Sequence, residues 1–355
     1  MKTVIVNPDE TVGIVDAGKP VYGPKQALTR TIANGICGTD ITLIHKSFKG
    51  IGPETYPIML GHENVGEVVE VGSEVRGLKV GDKVILPFVD EDRENVGPYG
   101  SGWGALSEYG VVNDWTAFPE GEAPEVAYGQ RIIPEDIDPV DAVMIVTLRE
   151  VLSAVRYFGI EKDKPVVVFG AGPVGLTFIK MCKMEGASPV ISVVRNEARA
   201  ENASAVGADI ILNSSEIDVD KKIRELYPKG VPYVIDAVGT EAILNEAMKL
   251  VADRGHICAY GVPKKEDMHL DFHPADYNWV LNFQQMPRKD EEGAVHDEVI
   301  GWIREGKIDL KDFISDYYFI DDAVEAYQDA QNKKILKKGI IVFDRSRYEK
   351  KSKDN

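Results

Sequence analysis

Residues 166–175 read Val166-Val167-Val168-Phe169-Gly170-Ala171-Gly172-Pro173-Val174-Gly175, four apolar residues running into a G-x-G-x-x-G. With 33 glycines in 355 residues, that spacing alone is weak. Its setting makes it specific: a strand pattern precedes it, a helix pattern follows, and further βα units continue the series. Gly170 suits the tight turn, Gly172 the close approach of backbone to a pyrophosphate, and Gly175 the packing of helix on strand. Pro173 and Val174 open the helix, whose N-terminus offers free N–H groups and a favourable dipole to an anion. The alternative is a structural strand–turn–helix with no ligand.

Outward from this loop, strand patterns at 166–169, 190–194, 210–212, 233–236 and 256–260 alternate with helix patterns at 173–185, 196–206, 218–226 and 241–251. A further strand is expected at 280–285. Such alternation predicts an α/β domain with a doubly wound parallel sheet covered on both faces. An NAD site places an acidic residue at the end of the second strand, about 20 residues on, to hold the ribose 2′-hydroxyl. Here that strand ends Ser192-Val193-Val194-Arg195-Asn196-Glu197, with Arg199 one turn later. A guanidinium there suits a 2′-phosphate, which favours NADP(H) over NAD(H). Glu197 remains within reach of the ribose, so NAD(H) stays open. Arg195, Asn196 and Arg199 are the candidates for the ribose end. Val238 and Gly261 follow later strands, at the carboxyl ends where such sheets bind ligands.

The first third has a different texture, with short strand patterns at 3–6, 26–33, 65–71 and 83–87 between Gly and Pro. It predicts a β-rich domain. Residues 88–104 read as a loop and 119–139 as a surface connection. The segments 291–305, 320–331 and 339–343 have no place in a six-stranded sheet, so they are expected to return to the first domain. The expected division is 1–145 with 290–355, and 146–289. The charged tail 345–355 has no apolar period and reads as frayed.

Apolar residues make up 44% and charged residues 28%, a composition that excludes a disordered chain. Lys plus Arg number 41 against 58 Asp plus Glu, a formal charge of −17 that disfavours nucleic acid and anionic membranes as partners. Cys37, Cys182 and Cys258 are too few for a disulfide framework or a four-cysteine metal site. No apolar leader opens the chain and no stretch is apolar enough to span a bilayer. A cytoplasmic setting is expected.

Cys37 lies in Gly35-Ile36-Cys37-Gly38-Thr39-Asp40, and Gly61-His62-Glu63-Asn64-Val65-Gly66 follows some way on. Together with Gly66-Glu67-Val68-Val69-Glu70-Val71-Gly72, Gly81-Asp82-Lys83-Val84, Gly170–Gly175 and Gly207-Ala208-Asp209, this block resembles the zinc-containing medium-chain dehydrogenase/reductase family, in its alcohol, polyol and sugar dehydrogenase branch. The match covers most of residues 26–262.

The resemblance implies a GroES-like catalytic domain joined to a Rossmann domain, with substrate and nicotinamide meeting between them. It implies a catalytic Zn²⁺ on Cys37 and His62, with Asp40 orienting the imidazole and Glu63 as a supporting carboxylate or exchangeable ligand. The third ligand in polyol dehydrogenases is a Glu shortly before the Rossmann domain. Glu150 is the counterpart here, although it sits about three positions late and lacks the usual Pro. Without a gap, Val146 or Thr147 falls at that position and neither can serve as a ligand, so Glu63 is the substitute ligand. The stretch 90–107 has no cysteine, so one zinc and no structural zinc is expected. Thr39 is the implied proton acceptor. The relay histidine is displaced to His45, which reads equally well as a surface residue.

The implied reaction is reversible hydride transfer between a secondary alcohol, polyol or sugar hydroxyl and NAD(P)⁺, an oxidoreductase activity in which zinc acidifies the substrate hydroxyl. Phe48, Trp103, Trp279 and Asn282 are candidates for the substrate wall. A homodimer or homotetramer is expected by analogy, with the strand at 280–285 at the junction. The rival readings are a zinc-free NADPH-dependent reductase of the same fold and a catalytically inactive nucleotide-binding relative.

Overall fold

The computed structural model describes residues 1–89, 96–263 and 267–354. The chain divides into two compact units, Met1–Thr147 with Arg288–Asn355, and Leu148–Pro287.

The second unit is built on six parallel strands in the order Ile210–Asn213, Val190–Val194, Val166–Phe169, Val231–Asp236, Val251–Ala259, Trp279–Phe283. Strand order reverses beside Val166–Phe169, so the glycine loop leaves the sheet at the switch point where such folds bind ligands. Val166–Phe169 and Val190–Val194 are buried throughout, as a strand covered on both faces requires. Val167, Ile191, Val234, Ile257, Leu244 and Met248 share one apolar core.

The helices are Pro173–Met184, Glu197–Ala205, Val219–Leu226 and Glu241–Leu250. They are one or two residues shorter than the sequence reading because Asn196, Asp218, Glu185, Val206 and Val251 are caps. Asn196, Asp218 and Thr240 each accept an N–H of the first turn through a side-chain oxygen.

The first unit holds a seven-stranded sheet. Its strands run Ile314–Phe319, Lys338–Val342, Gln26–Gly35, Glu63–Val71, Lys83–Ile85, Ile132–Ile133, and Tyr109–Asn113 also pairs with Gln26–Gly35. A four-stranded sheet joins Val12–Asp16, Lys2–Val6, Ile58–Met59 and Gly100–Ser101. The antiparallel register sets Gly35 opposite Glu63, and Ile340 opposite Gly35 from the other side. These pairings bring together segments remote in sequence.

The structure differs from the sequence expectations at four places. The stretch 119–139 is not a bare connection: it contains the helix Glu125–Gly129 and the strand Ile132–Ile133, with Ala127, Gln130 and Ile137 buried. Gln130 fixes it, donating to Leu86 O at 2.7 Å and accepting from Asn113 N at 2.7 Å. The strand Ile314–Phe319 went unread because its Ser, Asp and Tyr residues carry no clear apolar alternation. The tail is a helix, Arg345–Asp354. Its contacts are tertiary rather than periodic: Arg345 lies over the Phe319 ring, Tyr348 packs against that ring, and Lys351 is buried. Of the stretch 88–104 read as a loop, residues 90–95 lie outside the described residues; Gly100–Ser101 forms a short strand.

No helix among the described residues is long and apolar enough to cross a membrane.

Candidate metal centre and nucleotide loop

Cys37 follows the strand Gln26–Gly35 and caps the helix Gly38–Ile44. His62 immediately precedes the strand Glu63–Val71, and Glu63 is its first residue. Because Gly35 and Glu63 face each other in the ladder, the thiol, the imidazole and the carboxylate converge. Their ligand atoms lie within 4.8 Å of one another, the one such group of three found among the described residues.

Asp40 underlies this group. Its oxygens accept from Cys37 N at 3.0 Å and from Gly61 N at 3.2 Å, which fixes the two turns carrying Cys37 and His62. Asp40 Oδ1 is 3.5 Å from His62 Nδ1, a charge contact outside hydrogen-bonding geometry, and this buried nitrogen has no hydrogen-bond partner among the described residues. Burial disfavours the imidazolium, but Cys37 and then Asp40 outweigh it and push the His62 pKa well above its ordinary value. Binding a metal here would require both the thiol and the imidazole to give up their protons. A sulfur, a nitrogen and a carboxylate oxygen within this distance fit zinc.

Glu63 is buried and held at both oxygens. Thr147 Oγ1 donates to Oε1 at 3.2 Å, and Lys338 Nζ forms a buried ion pair with Oε2. Neither partner was assigned a role from sequence. Lys338 had left a signal, as the one charged residue in a strand, Lys338–Val342, that is buried along its whole length. Tyr327, on the helix Ala323–Gln331, was also missed; it is fully buried, and burial and then Asp40 push its phenol well above the usual value.

Other candidates are placed as follows. Thr39 is half-buried in the first turn after Cys37. His45 is an exposed C-cap 3.5 Å from Glu10, which makes it a surface residue. Trp103 lies beside His62 with ring centroids 5.1 Å apart, and Phe48 meets Trp103 edge-on. Trp279 instead stacks on Phe272 and packs against the core of the second unit, and Asn282 shares its strand. Glu150 belongs to the second unit, and the converging group does not include it.

In the nucleotide loop, Gly170 has φ +105°, and a Cβ on Gly175 would stand 2.1 Å from Gly170 O. Above Gly172 there is open space, the nearest atom to a Cβ there being Arg199 Nη1 at 3.9 Å. That opening is the approach a pyrophosphate needs. Pro173 and Val174 begin the helix below it.

Arg199 donates to Ala171 O at 2.8 Å and so braces the loop. Arg195 is exposed at the strand end, its carbonyl accepting from Ser215 Oγ, while the Asn196 side chain is engaged as a cap. Asp236, raised by burial, accepts from Val238 N and Gly239 N, and Gly261 packs directly on Gly239.

Comparison with known proteins bears on the family and fold. The family model of the alcohol dehydrogenase GroES-like domain matches residues 23–123, and that of the zinc-binding dehydrogenase matches residues 173–281. The NADP-dependent isopropanol dehydrogenase of Thermoanaerobacter brockii is 32% identical over 265 residues, 69% of this chain and 71% of that protein. The L-galactonate-5-dehydrogenase of Escherichia coli (strain K12) is 31% identical, over 91% of this chain and 94% of that one. The solved structure of the alcohol dehydrogenase TADH from Thermus sp. ATN1 is 25% identical and superposes with a TM-score of 0.77, covering 96% of this chain and 99% of the other.

Proposed function

Because the chain belongs to the zinc-containing medium-chain dehydrogenase/reductase family, and is an oxidoreductase moving a hydride between an alcohol, polyol or sugar hydroxyl and a nicotinamide nucleotide, we propose that Cys37, His62 and Glu63 hold a single catalytic zinc. The convergence of their ligand atoms within 4.8 Å carries this reading. Glu63, rather than Glu150, is then the third protein ligand. A carboxylate has about four acceptor sites, so an oxygen bonded to Thr147 or Lys338 keeps a lone pair for the metal. The zinc-free reductase and the inactive relative are not favoured, since a thiol, an imidazole and a carboxylate converge.

When bound, the two groups supply the chemistry: zinc a Lewis acid and the nicotinamide a hydride acceptor. The chain's own residues do the rest. Thr39 Oγ1, two residues from Cys37, accepts a hydrogen bond from the substrate hydroxyl and relays its proton by passing its own on to the nucleotide ribose hydroxyls and solvent. Asp40 holds the turns of Cys37 and His62. Trp103 and Phe48 form an apolar wall beside His62 that excludes water.

Gly170, Gly172, Pro173, Val174 and Gly175 cradle the pyrophosphate, and Val238 and Gly261 present backbone to the nicotinamide half. Arg195, with no carboxylate at the strand end, selects NADP(H), in line with the name of the T. brockii relative. In this reading 1–145 with 290–355 is the catalytic domain and 146–289 the nucleotide domain. The protein works in the cytoplasm, as three unpaired cysteines suggest. It does so as a homo-oligomer.

The test is a panel of alcohols, polyols and sugars with NAD⁺ and NADP⁺ on zinc-loaded protein, alongside metal analysis of Cys37→Ala. Loss of metal and turnover together is expected. Turnover by a metal-free Cys37→Ala protein overturns the zinc assignment.

A further inference from the structure

We propose that Lys351, on the C-terminal helix Arg345–Asp354, is a positioning residue for the ligand carboxylate of Glu63. The inference rests on the reading of Glu63 as a zinc ligand.

Lys351 is 6% exposed, although it lies in a helix composed almost wholly of polar residues. Its ammonium is 2.6 Å from Asp141 Oδ2 and 3.2 Å from Asp138 Oδ2. Asp141 is itself buried and accepts from Tyr317 Oη at 2.8 Å. A buried ammonium persists only where carboxylates offset its lost hydration. The converse also holds: without Lys351, two carboxylates three residues apart are left facing each other in a tight turn. That turn is otherwise held by Asp138 Oδ1, which accepts from Val140 N at 2.9 Å and Asp141 N at 3.4 Å.

Two routes lead from Asp141 to Glu63. Along the chain, Asp141 opens the turn Asp141–Val143, which continues into the helix Met144–Tyr157. Val143 packs over Gly35: a Cβ built there would be 2.9 Å from Val143 Cγ1 and 2.6 Å from Glu63 Oε2. One helical turn on, Thr147 Oγ1 donates to Glu63 Oε1. Across the sheet, Tyr317 belongs to the strand Ile314–Phe319, which pairs in parallel with Lys338–Val342. Lys338 holds Glu63 Oε2. Both partners of the Glu63 carboxylate therefore trace to elements that meet at Asp141, and Lys351 neutralises that junction. Exact charge balance there sets the position of Thr147 and Lys338, hence the direction in which Glu63 points.

The experiment compares full-length wild type, Lys351→Met and Lys351→Arg. Zinc affinity is measured by competition with a chromophoric chelator, and the ligand field by the visible spectrum of the cobalt-substituted protein. Lys351→Met is expected to weaken zinc binding about ten- to hundredfold and to shift the cobalt bands, the size typical of losing support behind a ligand. Lys351→Arg keeps the charge and is expected to retain most of the affinity.

Val112→Ala, in a separate apolar cluster with Ala27, Val68 and Val84, controls for stability alone and is expected to leave both readouts unchanged. The proposal is overturned if Lys351→Met matches wild type in affinity and spectrum, or if Val112→Ala shifts them equally. If Lys351→Met does not fold, Asp141→Asn/Lys351→Met removes the charge pair together and is read by the same criteria. A double variant that also fails to fold makes the cluster a folding requirement and overturns the positioning role. Failure of the parent reading looks different: wild type then binds no zinc, or Cys37→Ala binds it unchanged.

Discussion

Thr147 Oγ1 donates to Glu63 Oε1 at 3.2 Å, and the other oxygen of that buried carboxylate is paired with Lys338. Removing one partner of a buried pair costs roughly 3–5 kcal/mol, because the remaining charge is left uncompensated. Lys338→Met is therefore expected to melt well below wild type when metal-free. A divalent ion on Glu63 restores the missing positive charge. Added zinc should then raise the melting temperature of Lys338→Met by more than it raises that of wild type. Calorimetry with and without zinc measures this, and an equal rise in both proteins counts against Glu63 as a ligand.

The nucleotide loop separates two alanine substitutions that look alike in sequence. At Gly175 a Cβ collides with Gly170 O at 2.1 Å, so Gly175→Ala forces helix and turn apart. At Gly172 no described atom outside its chain neighbours comes closer than 3.9 Å to a Cβ, so Gly172→Ala should fold like wild type. Its methyl group instead fills the approach of the pyrophosphate. Thermal melts and nucleotide titration of both variants check this. Gly175→Ala should lose stability, and Gly172→Ala should lose nucleotide binding alone.

The second unit was legible because its signals are local. Apolar strands, glycine turns and capped helices reveal themselves within about ten residues; the exceptions are the strand Val251–Ala259, which begins five residues before the expected 256 because its first half is polar, and the helix Met144–Tyr157, which no expectation covers. Cys37, His62 and Glu63 were also legible, through the motifs around them. Their partners were not, since Lys338 reaches Glu63 across 275 residues of chain and Thr147 across 84. No periodicity encodes such a contact. The tail failed for the same reason: Lys351 reads as a solvated charge until Asp141, 210 residues away, is placed beside it. Thr147 cannot replace a carboxylate ligand, yet its hydroxyl bonds the carboxylate that is present.

Arg195 stands exposed where an NAD-specific site would carry a carboxylate. If it binds a 2′-phosphate, Arg195→Ala removes a charge-assisted contact of about 1.5–3 kcal/mol. The KM for NADP⁺ should then rise about tenfold or more, with little change for NAD⁺. Parallel steady-state kinetics decide it, and an equal effect on both nucleotides would return Arg195 to an ordinary loop residue.

Asp114 gives a pH test within the first unit. It is buried and accepts from Arg76 N, Gly77 N, Thr116 N and Thr116 Oγ1 at 2.5, 2.7, 3.0 and 2.6 Å. Burial alone would raise its pKa, but the donors from Gly77, Thr116 and Arg76 outweigh it and hold the carboxyl below the usual range. A depressed folded value contributes stability that is fully present above the unfolded value, about 3.9, and is lost as pH falls through the folded one. Asp114→Asn should cost about 1–3 kcal/mol at neutral pH. The gap between variant and wild type should narrow below about pH 4. Denaturant unfolding at pH 7 and in mild acid measures it; a pH-independent gap would show that lost contacts, not charge, carry the effect.

Among the described residues the strand Trp279–Phe283 ends its sheet, pairing on one side with Val251–Ala259. It exposes Val280 at 44% and Phe283 at 48%, with Met286 close behind in sequence at 61%. A free edge with apolar side chains is a template for another strand unless charge or a covering element blunts it. If the proposed homo-oligomer forms through this edge, charge placed on it disrupts assembly. Val280→Lys and Phe283→Asp place charge on side chains already open to solvent, so protomer stability should change by no more than about 0.5 kcal/mol. Sedimentation should then report a smaller assembly while the melting profile of the metal- and nucleotide-bound protomer stays close to wild type. An unchanged mass in both variants would move the junction to another surface and leave this edge in need of a different cover.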